Sequence, residues 1–245
     1  MKVYKGFTAS PGLVLGQVSR LDRPPLVFGE GPFHPEQEKQ ALEDAIKVAQ
    51  QELDEMGIIL DPDCADVVRR AIHTTADFDY AKNLIFTPGA ASAGAAALRS
   101  GTPIVTDTNM ARSGINQKAC IQFGVERFCY MADPEVAQAA KEHGTTRAVA
   151  AVDRWAQEHP NAIFAVGNAP TALLRICELM EAGKLRPSLV IAVPVGFVNV
   201  VESKEAMLEL CRKLEVPAIV AMGRKGGSTV AAAICNALLY RTFER

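Results

Sequence analysis

No stretch of the sequence approaches the ~20 consecutive apolar residues that a membrane helix requires. The opening residues 1–6 (MKVYKG) lack the apolar core of a signal peptide, so no export signal is expected. The six cysteines, Cys64, Cys120, Cys129, Cys177, Cys211 and Cys235, contain no C-x-x-C pair. The four histidines show no zincin spacing, and no metal site is expected. There is no excess of basic charge: 26 Lys and Arg stand against 28 Asp and Glu, for a net charge of −2. That balance gives no electrostatic footprint for nucleic acid. G-x-G-x-x-G and the P-loop pattern are both missing, so no nucleotide and no other cofactor is indicated. These absences predict a cytoplasmic protein that binds neither membrane nor nucleic acid. Its cysteines, several in apolar company, are expected to be buried free thiols in a reducing compartment.

What is present reads as a folded enzyme. Hydrophobic residues make up 49% of the chain and charged residues 22%, an ordinary globular balance. From about residue 84 onward, short apolar runs alternate with helical stretches. Strands are predicted at 83–86, 103–106, 125–131, 162–166, 189–193 and 218–221, each mostly apolar, as in parallel sheets covered on both faces. Thr87-Pro88 and Asp133-Pro134 look like a helix N-cap followed by proline at the first helical position. Gly101, Gly144 and Gly183 follow helical runs where a left-handed residue is wanted. The alternation predicts an α/β fold: a doubly wound, mainly parallel sheet with helices on both faces. Residues 1–35 read as a small appendage, a glycine-broken, strand-rich segment and a proline-rich linker. The main domain is expected at 36–245, beginning with a helix over 36–56 and a second from Asp61-Pro62 toward His73.

In a doubly wound sheet, ligands bind beyond the carboxyl ends of the strands. The loops predicted there are polar or glycine-rich: 106–110 (TDTNM), 167–171 (GNAPT), 194–199 (PVGFVN) and 223–228 (GRKGGS). The last leads into an apolar helix over 229–240. Free backbone N–H groups and the positive end of a helix dipole suit an anion there, with Arg224 and Lys225 adding charge; the bland alternative is a tight turn with two solvated cations. Asp107 reads equally as an N-cap or a ligand contact, and Met110 as core or site. Arg147, near a helix start, is either a carboxylate clamp or a surface arginine. Among the histidines, His73 has the strongest claim to chemistry, with a titration range near neutrality and Thr74, Thr75 and Asp77 as neighbours able to fix its tautomer. His143 and His159 sit at helix ends, and His34 lies in the linker.

Six segments occur in an order that resembles the precorrin-8X methylmutase family, including its cobalt-precorrin-8 branch. They are 72–83 (IHTTADFDYAKN), 103–110 (PIVTDTNM), 167–173 (GNAPTAL), 193–199 (VPVGFVN), 202–204 (ESK) and 223–228 (GRKGGS), spanning about residues 57–245. The resemblance implies an isomerase that moves a methyl group from C-11 to C-12 of precorrin-8X or cobalt-precorrin-8, giving hydrogenobyrinate or cobyrinate. It aligns the family histidine with His73, which then protonates or hydrogen-bonds the ring system. It also implies a corrinoid substrate bearing many carboxylate arms and a homodimer with sites near the subunit interface. The substrate-binding residues expected on this basis are Thr74, Asp107, Asn109, Met110, Arg147, Asn168, Thr171, Arg224, Lys225, Gly226, Gly227 and Ser228.

The chain departs from the family at Thr229, where asparagine is expected after Gly-Gly-Ser, and over residues 1 to about 56. There, residues 6–16 (GFTASPGLVLG) with the later helix resemble the beginning of enzyme I of the sugar phosphotransferase system, without that family's phosphohistidine motif. This fragment is then expected to supply either a replacement for the usual first helix, at 36–56, or an interface strand. Two other functions compete with the isomerase: a corrinoid-binding carrier without turnover, and a phosphotransferase-type protein.

Overall fold

The computed structural model describes residues 35–242. Residues 41–242 belong to one compact unit. The elements in chain order are α1 (Pro35–Glu55), α2 (Ala65–Thr75), α3 (Tyr80–Asn83), β1 (Leu84–Phe86), α4 (Ala90–Arg99), β2 (Ile104–Thr106), α5 (Asn109–Gly114), α6 (Gln117–Gln122), β3 (Arg127–Phe128), α7 (Pro134–Glu142), α8 (Arg147–Glu158), β4 (Ile163–Val166), α9 (Pro170–Glu181), β5 (Leu189–Ala192), α10 (Val200–Lys213), β6 (Ala218–Ala221) and α11 (Ser228–Arg241).

The six strands form one sheet in the order β1-β6-β5-β4-β2-β3. Every pairing is parallel except β1 with β6, which is antiparallel. The doubly wound, mainly parallel sheet expected from the β-α alternation is therefore present. The winding direction reverses between β2 and β4: β3 lies on one side of β2, and the chain then crosses to β4 on the other. Ligand crevices form at such a reversal.

Side chains alternate between the two faces of each strand, and the two halves of the core follow that period. Ile163, Ala165, Leu189 and Ile191 point to the face covered by α2, α4 and α11. Phe164, Val166, Val190 and Ala192 point to the face covered by α8, α9 and α10. All eight are buried. Burying each larger aliphatic or aromatic side chain contributes roughly 1.5–3 kcal/mol, which is why strands this short hold their places. Ala49 and Leu53 of α1 are buried in the first of these cores.

Several local expectations change in the folded chain. The run 125–131 yields only a two-residue strand, because the chain turns out of the sheet after Phe128 at its edge. The second helix starts at Ala65, since the Asp61 carboxylate accepts the Asp63 amide at 2.9 Å and builds a turn first. Thr87 is no helix cap: its buried hydroxyl accepts the Ala218 amide at 2.8 Å, tying the end of β1 to the start of β6. Helix α4 begins instead after Gly89, at φ +69°. Asp133 does cap α7, accepting the Glu135 amide. Gly101, Gly144 and Gly183 all have positive φ after helix ends. The six cysteines are free, and Cys120, Cys177, Cys211 and Cys235 are buried. No helix among the described residues is long and apolar enough to cross a membrane. Of the segment expected at 1–35, residues 1–34, His34 among them, lie outside the described residues.

Candidate active site

The antiparallel edge strand decides where His73 goes. Leu84, the first residue of β1, pairs with Ala221, the last residue of β6. Whatever precedes β1 therefore sits at the carboxyl edge of the sheet, alongside the loops that follow β2, β4, β5 and β6. The last turn of α2 and the turn 76–79 are in that position. Helix α2 stops there because Ala76 takes a left-handed conformation, φ 52°, with its amide on the Ile72 carbonyl.

His73 is in the last turn of α2 and is exposed. It lines an open cleft of about 350 Å³ with Arg70, Thr74, Met110, Thr229 and Asn236. Partial burial, and secondarily the neighbouring Arg70 charge, hold its pKa below the usual 6.5. The free protein thus carries a largely neutral imidazole at pH 7. The candidate tautomer-fixing neighbours do not serve that purpose. Thr75 donates its hydroxyl to the Ala71 carbonyl at 2.8 Å, and Asp77 pairs with Lys225. Among the described residues the His73 ring makes no hydrogen bond, so both nitrogens remain available to a ligand.

The loops beyond the strands are bound to one another. Asp107, buried at the end of β2, accepts the amides of Gly167, Asn168 and Ala169 at 2.8, 2.7 and 2.7 Å. Burial pushes its pKa up, and the three amides pull against that rise. Asp107 therefore caps neither α5 nor an open ligand site. Thr108 caps α5, accepting the Ala111 amide, and its hydroxyl lies 2.8 Å from that of Ser228. The glycines permit this crowding. A Cβ on Gly167 would come within 2.7 Å of the Ser228 Cα, and one on Gly226 within 2.1 Å of the Val193 carbonyl oxygen. Gly227 donates its amide to that same carbonyl at 2.8 Å.

The two cations of the 223–228 loop differ in their surroundings. Lys225 is paired with Asp77 and Asp79, which raise its pKa to about 12. Arg224 is exposed and lies over the Phe197 ring, 5.6 Å from its centroid. Beneath the loop, Lys204 is fully buried and donates to the carbonyls of Gly223 and Lys225 at 2.9 and 2.8 Å.

The His73 cleft thus gathers Thr74 and Met110, the latter 66% exposed, but not the other expected binding residues. Asn109, Asn168, Arg224, Gly226, Gly227 and Ser228 belong to the loops and helix starts along the same edge of the sheet. Arg147 begins α8 and is exposed; Thr146 before it lies 3.5 Å from Thr171, hydroxyl to hydroxyl, at the start of α9. His143 bonds the Ala139 carbonyl, and His159 stacks on Phe128 at 4.2 Å with Nε2 3.0 Å from the Tyr130 hydroxyl. Both are held structurally. Sequence reasoning gave no site role to Arg70 or Asn236, nor to Lys204 and Thr229, which it had noted only as part of the 202–204 segment and as a departure from the family pattern. Arg70 had a usable signal, since residues three apart on a helix share a face.

A family model described as precorrin-8X methylmutase matches residues 42–241. The chain is 49% identical over 179 residues to the cobalt-precorrin-8 methylmutase of Salmonella typhimurium, covering 73% of this chain and 81% of that one. It is 36% identical over 174 residues to the precorrin-8X methylmutase of a Sinorhizobium species, covering 71% and 81%. Among solved structures, the precorrin-8x methyl mutase from Thermus thermophilus superposes with a TM-score of 0.75 at 39% identity, covering 83% of this chain and 98% of that one.

Proposed function

The chain belongs to the precorrin-8X methylmutase family, and from that membership we propose that it isomerises cobalt-precorrin-8, moving the methyl group from C-11 to C-12, with His73 as the proton-handling residue. The observation that carries this reading is the position of His73. An imidazole with no hydrogen-bond partner among the described residues opens into a cleft at the carboxyl edge of the sheet, beside the Arg70 guanidinium. A methyl migration within one molecule needs a shaped pocket and a well-placed acid or hydrogen-bond donor near the ring.

The cobalt-bearing substrate is favoured over its metal-free counterpart by the higher identity to the relative named for it. The activity is assigned to residues 36–245, with α1 standing in for the family's usual first helix. A homodimer is supported by the size and rim of the cleft. Its volume of about 350 Å³ is at the lower end for small-molecule sites, and a corrinoid with its acid arms needs more wall than one subunit supplies. Phe197 and Val198, 83% and 76% exposed on the 194–199 loop, provide apolar surface for a partner or for the macrocycle. Free thiols throughout support a reducing, cytoplasmic setting. The deciding experiment is a spectral assay with precorrin-8X and cobalt-precorrin-8 side by side. Conversion of the cobalt form at the higher kcat/KM is expected, and conversion of neither would overturn the reading.

A further inference from the structure

Arg112 and Arg127 line an open, polar hollow of about 510 Å³, and among the described residues no Asp or Glu shares its wall. Elsewhere in the fold Arg154 meets Asp133 and Glu158, Arg175 meets Asp153 and Glu178, and Arg241 meets Asp63 and Asp66. Arg112, exposed in the last turn of α5, makes no ion pair among the described residues, and neither does Arg127. Arg127 is half-buried at the start of β3. It spends Nη1 on carbonyls left open where α5 ends, 3.2 Å from that of Arg112 and 2.6 Å from that of Ile115. Its Nε and Nη2 make no hydrogen bond among the described residues, so the rest of the planar fork keeps its donors.

The floor between the two cations is fixed before any ligand arrives. Asn116 donates its side-chain amide to the Tyr240 hydroxyl at 2.8 Å and its backbone amide to Asn236 Oδ1 at 2.7 Å. Asn236 Nδ2 donates in turn to the Gly114 carbonyl at 2.9 Å. These bonds tie the end of α5 and the start of α6 to α11, and a surface already ordered costs less to bind. Gly114 and Asn236 also line the His73 cleft, so the two hollows meet at a saddle. A Cβ on Gly114 would come within 2.9 Å of the Ala232 Cβ. The glycine that lets α5 approach α11 thus also leaves the saddle without a side chain. Two cations with no anion, next to a cleft too small for a corrinoid and its acid arms, suit one of those arms.

We propose that the hollow of Arg112 and Arg127 holds a carboxylate arm of the macrocycle whose reacting edge lies at His73, and so sets which way round the ring is seated. The inference rests on the corrinoid reading above for the source of the carboxylate. The arm binds by charge and hydrogen bonds alone, and no covalent bond forms or breaks. The two arginines position the ring and take no part in the methyl shift. A small free dicarboxylate offers the same chemistry, and the experiment separates the two sources.

The test is a spectral binding titration of the full-length chain with cobyrinate, beside a calorimetric titration with glutarate. Arg112→Glu reverses the charge of an exposed residue and is expected to weaken cobyrinate binding by about tenfold. Arg127→Gln should weaken it by a similar factor. Arg112→Glu answers the question alone if the Arg127 variant, which loses a tie to the end of α5, does not fold. Arg99→Glu, the same charge change on α4 outside the hollow, should leave binding within about twofold. The heptamethyl ester of cobyrinate, whose arms are uncharged, should bind Arg112→Glu and the wild type alike. In turnover the Arg112 variant should raise KM with little change in kcat, since the arm is held equally before and during the shift. Equal cobyrinate affinities in the wild type and Arg112→Glu overturn the inference. So does glutarate binding that is lost in the variant while cobyrinate binding is unmoved, which would assign the hollow to a free acid. A wild type that binds no cobyrinate overturns this inference and the corrinoid reading together. Cobyrinate binding that shows the expected losses without turnover of either substrate would remove the methylmutase reading and leave the carboxylate site in place.

Discussion

Lys225 Nζ lies 2.7 Å from Asp77 Oδ2, joining the loop after β6 to the turn that follows the His73 helix. Asp79 meets the same ammonium, and the three residues clasp segments 146 positions apart in the chain. The ammonium first, by hydrogen bonding, holds the Asp77 carboxyl below the usual carboxylate range. A lowered acid contributes to the clasp at every pH above its unfolded value near 3.8, and that contribution is lost only as pH falls further. The clasp is therefore fully formed at working pH. Lys225→Met frees the turn that follows the His73 helix and leaves two carboxylates facing each other. It is expected to lower kcat by roughly tenfold to a hundredfold through misplacement of the imidazole, with little change in melting temperature. Steady-state kinetics beside a thermal melt check this, and an unchanged kcat would show that the pair does not position His73.

Asp107 supplies a second structural tie to the site. Its two oxygens serve three amides of the loop after β4, and asparagine has only one acceptor oxygen in nearly the same shape. Asp107→Asn turns an NH2 group toward at least one amide donor. Each orphaned amide costs about 1–3 kcal/mol. The variant should melt at lower temperature and show faster hydrogen exchange at the amides of Gly167 to Ala169. Exchange protection equal to that of the wild type would mean that the loop is held by other contacts.

The parts of this fold that were readable in the sequence are those with local causes. Strands β4, β5 and β6 are apolar on both faces and bounded by turn residues, so a parallel sheet follows from pattern alone. Asp133-Pro134 marked a helix start because the cap uses the backbone two residues on. Thr87-Pro88 has the same look and a different fate, since the Thr87 hydroxyl found an amide 131 positions away. The reversed direction of β1, which brings His73 to the carboxyl edge of the sheet, likewise depends on pairing with a strand 137 positions later. The loops with binding character were visible, but their internal division of labour was not. Asp107 and Lys225 read as ligand contacts because they are charged residues in polar loops, and only the fold shows their partners. Lys204 was invisible as a site residue because burial of a lysine leaves no mark on its immediate neighbours in sequence.

The pH dependence of turnover should separate the free protein from its complex. In the free protein His73 titrates below 6.5, so the protonated form that an acid requires is depleted as pH rises through that lowered value. The alkaline limb of kcat/KM, which reports the free enzyme, should accordingly fall below pH 6.5. The limb of kcat reports the complex, where substrate carboxylates favour the imidazolium, and should lie at higher pH. His73→Ala should reduce turnover by about a hundredfold to ten-thousandfold and leave product binding largely intact. Coincident limbs in the two profiles would show that the substrate does not alter the protonation of His73.

Lys204 offers a test of how the 223–227 loop is held. Its ammonium is buried with two backbone carbonyls and no carboxylate partner among the described residues, and burial lowers its pKa to about 8 from 10.5. Below pH 8 the folded and unfolded chains both carry the charge, and the folded state bears the full cost of burying it. Between about 8 and 10.5 the folded chain releases the proton first, the unfolded chain binds more protons, and stability rises with pH. Lys204→Met removes the charge and both donors. Relief from burying a cation offsets the two orphaned carbonyls, so net stability at pH 7 should change by no more than about 2 kcal/mol. The rise in stability between pH 8 and 10.5, relative to the variant, should nonetheless be present only in the wild type. Urea denaturation across that range measures the difference directly. A constant gap between the two proteins would mean that Lys204 is solvated well enough to keep its ordinary pKa, and that the loop takes its shape from Gly226 and Gly227 instead.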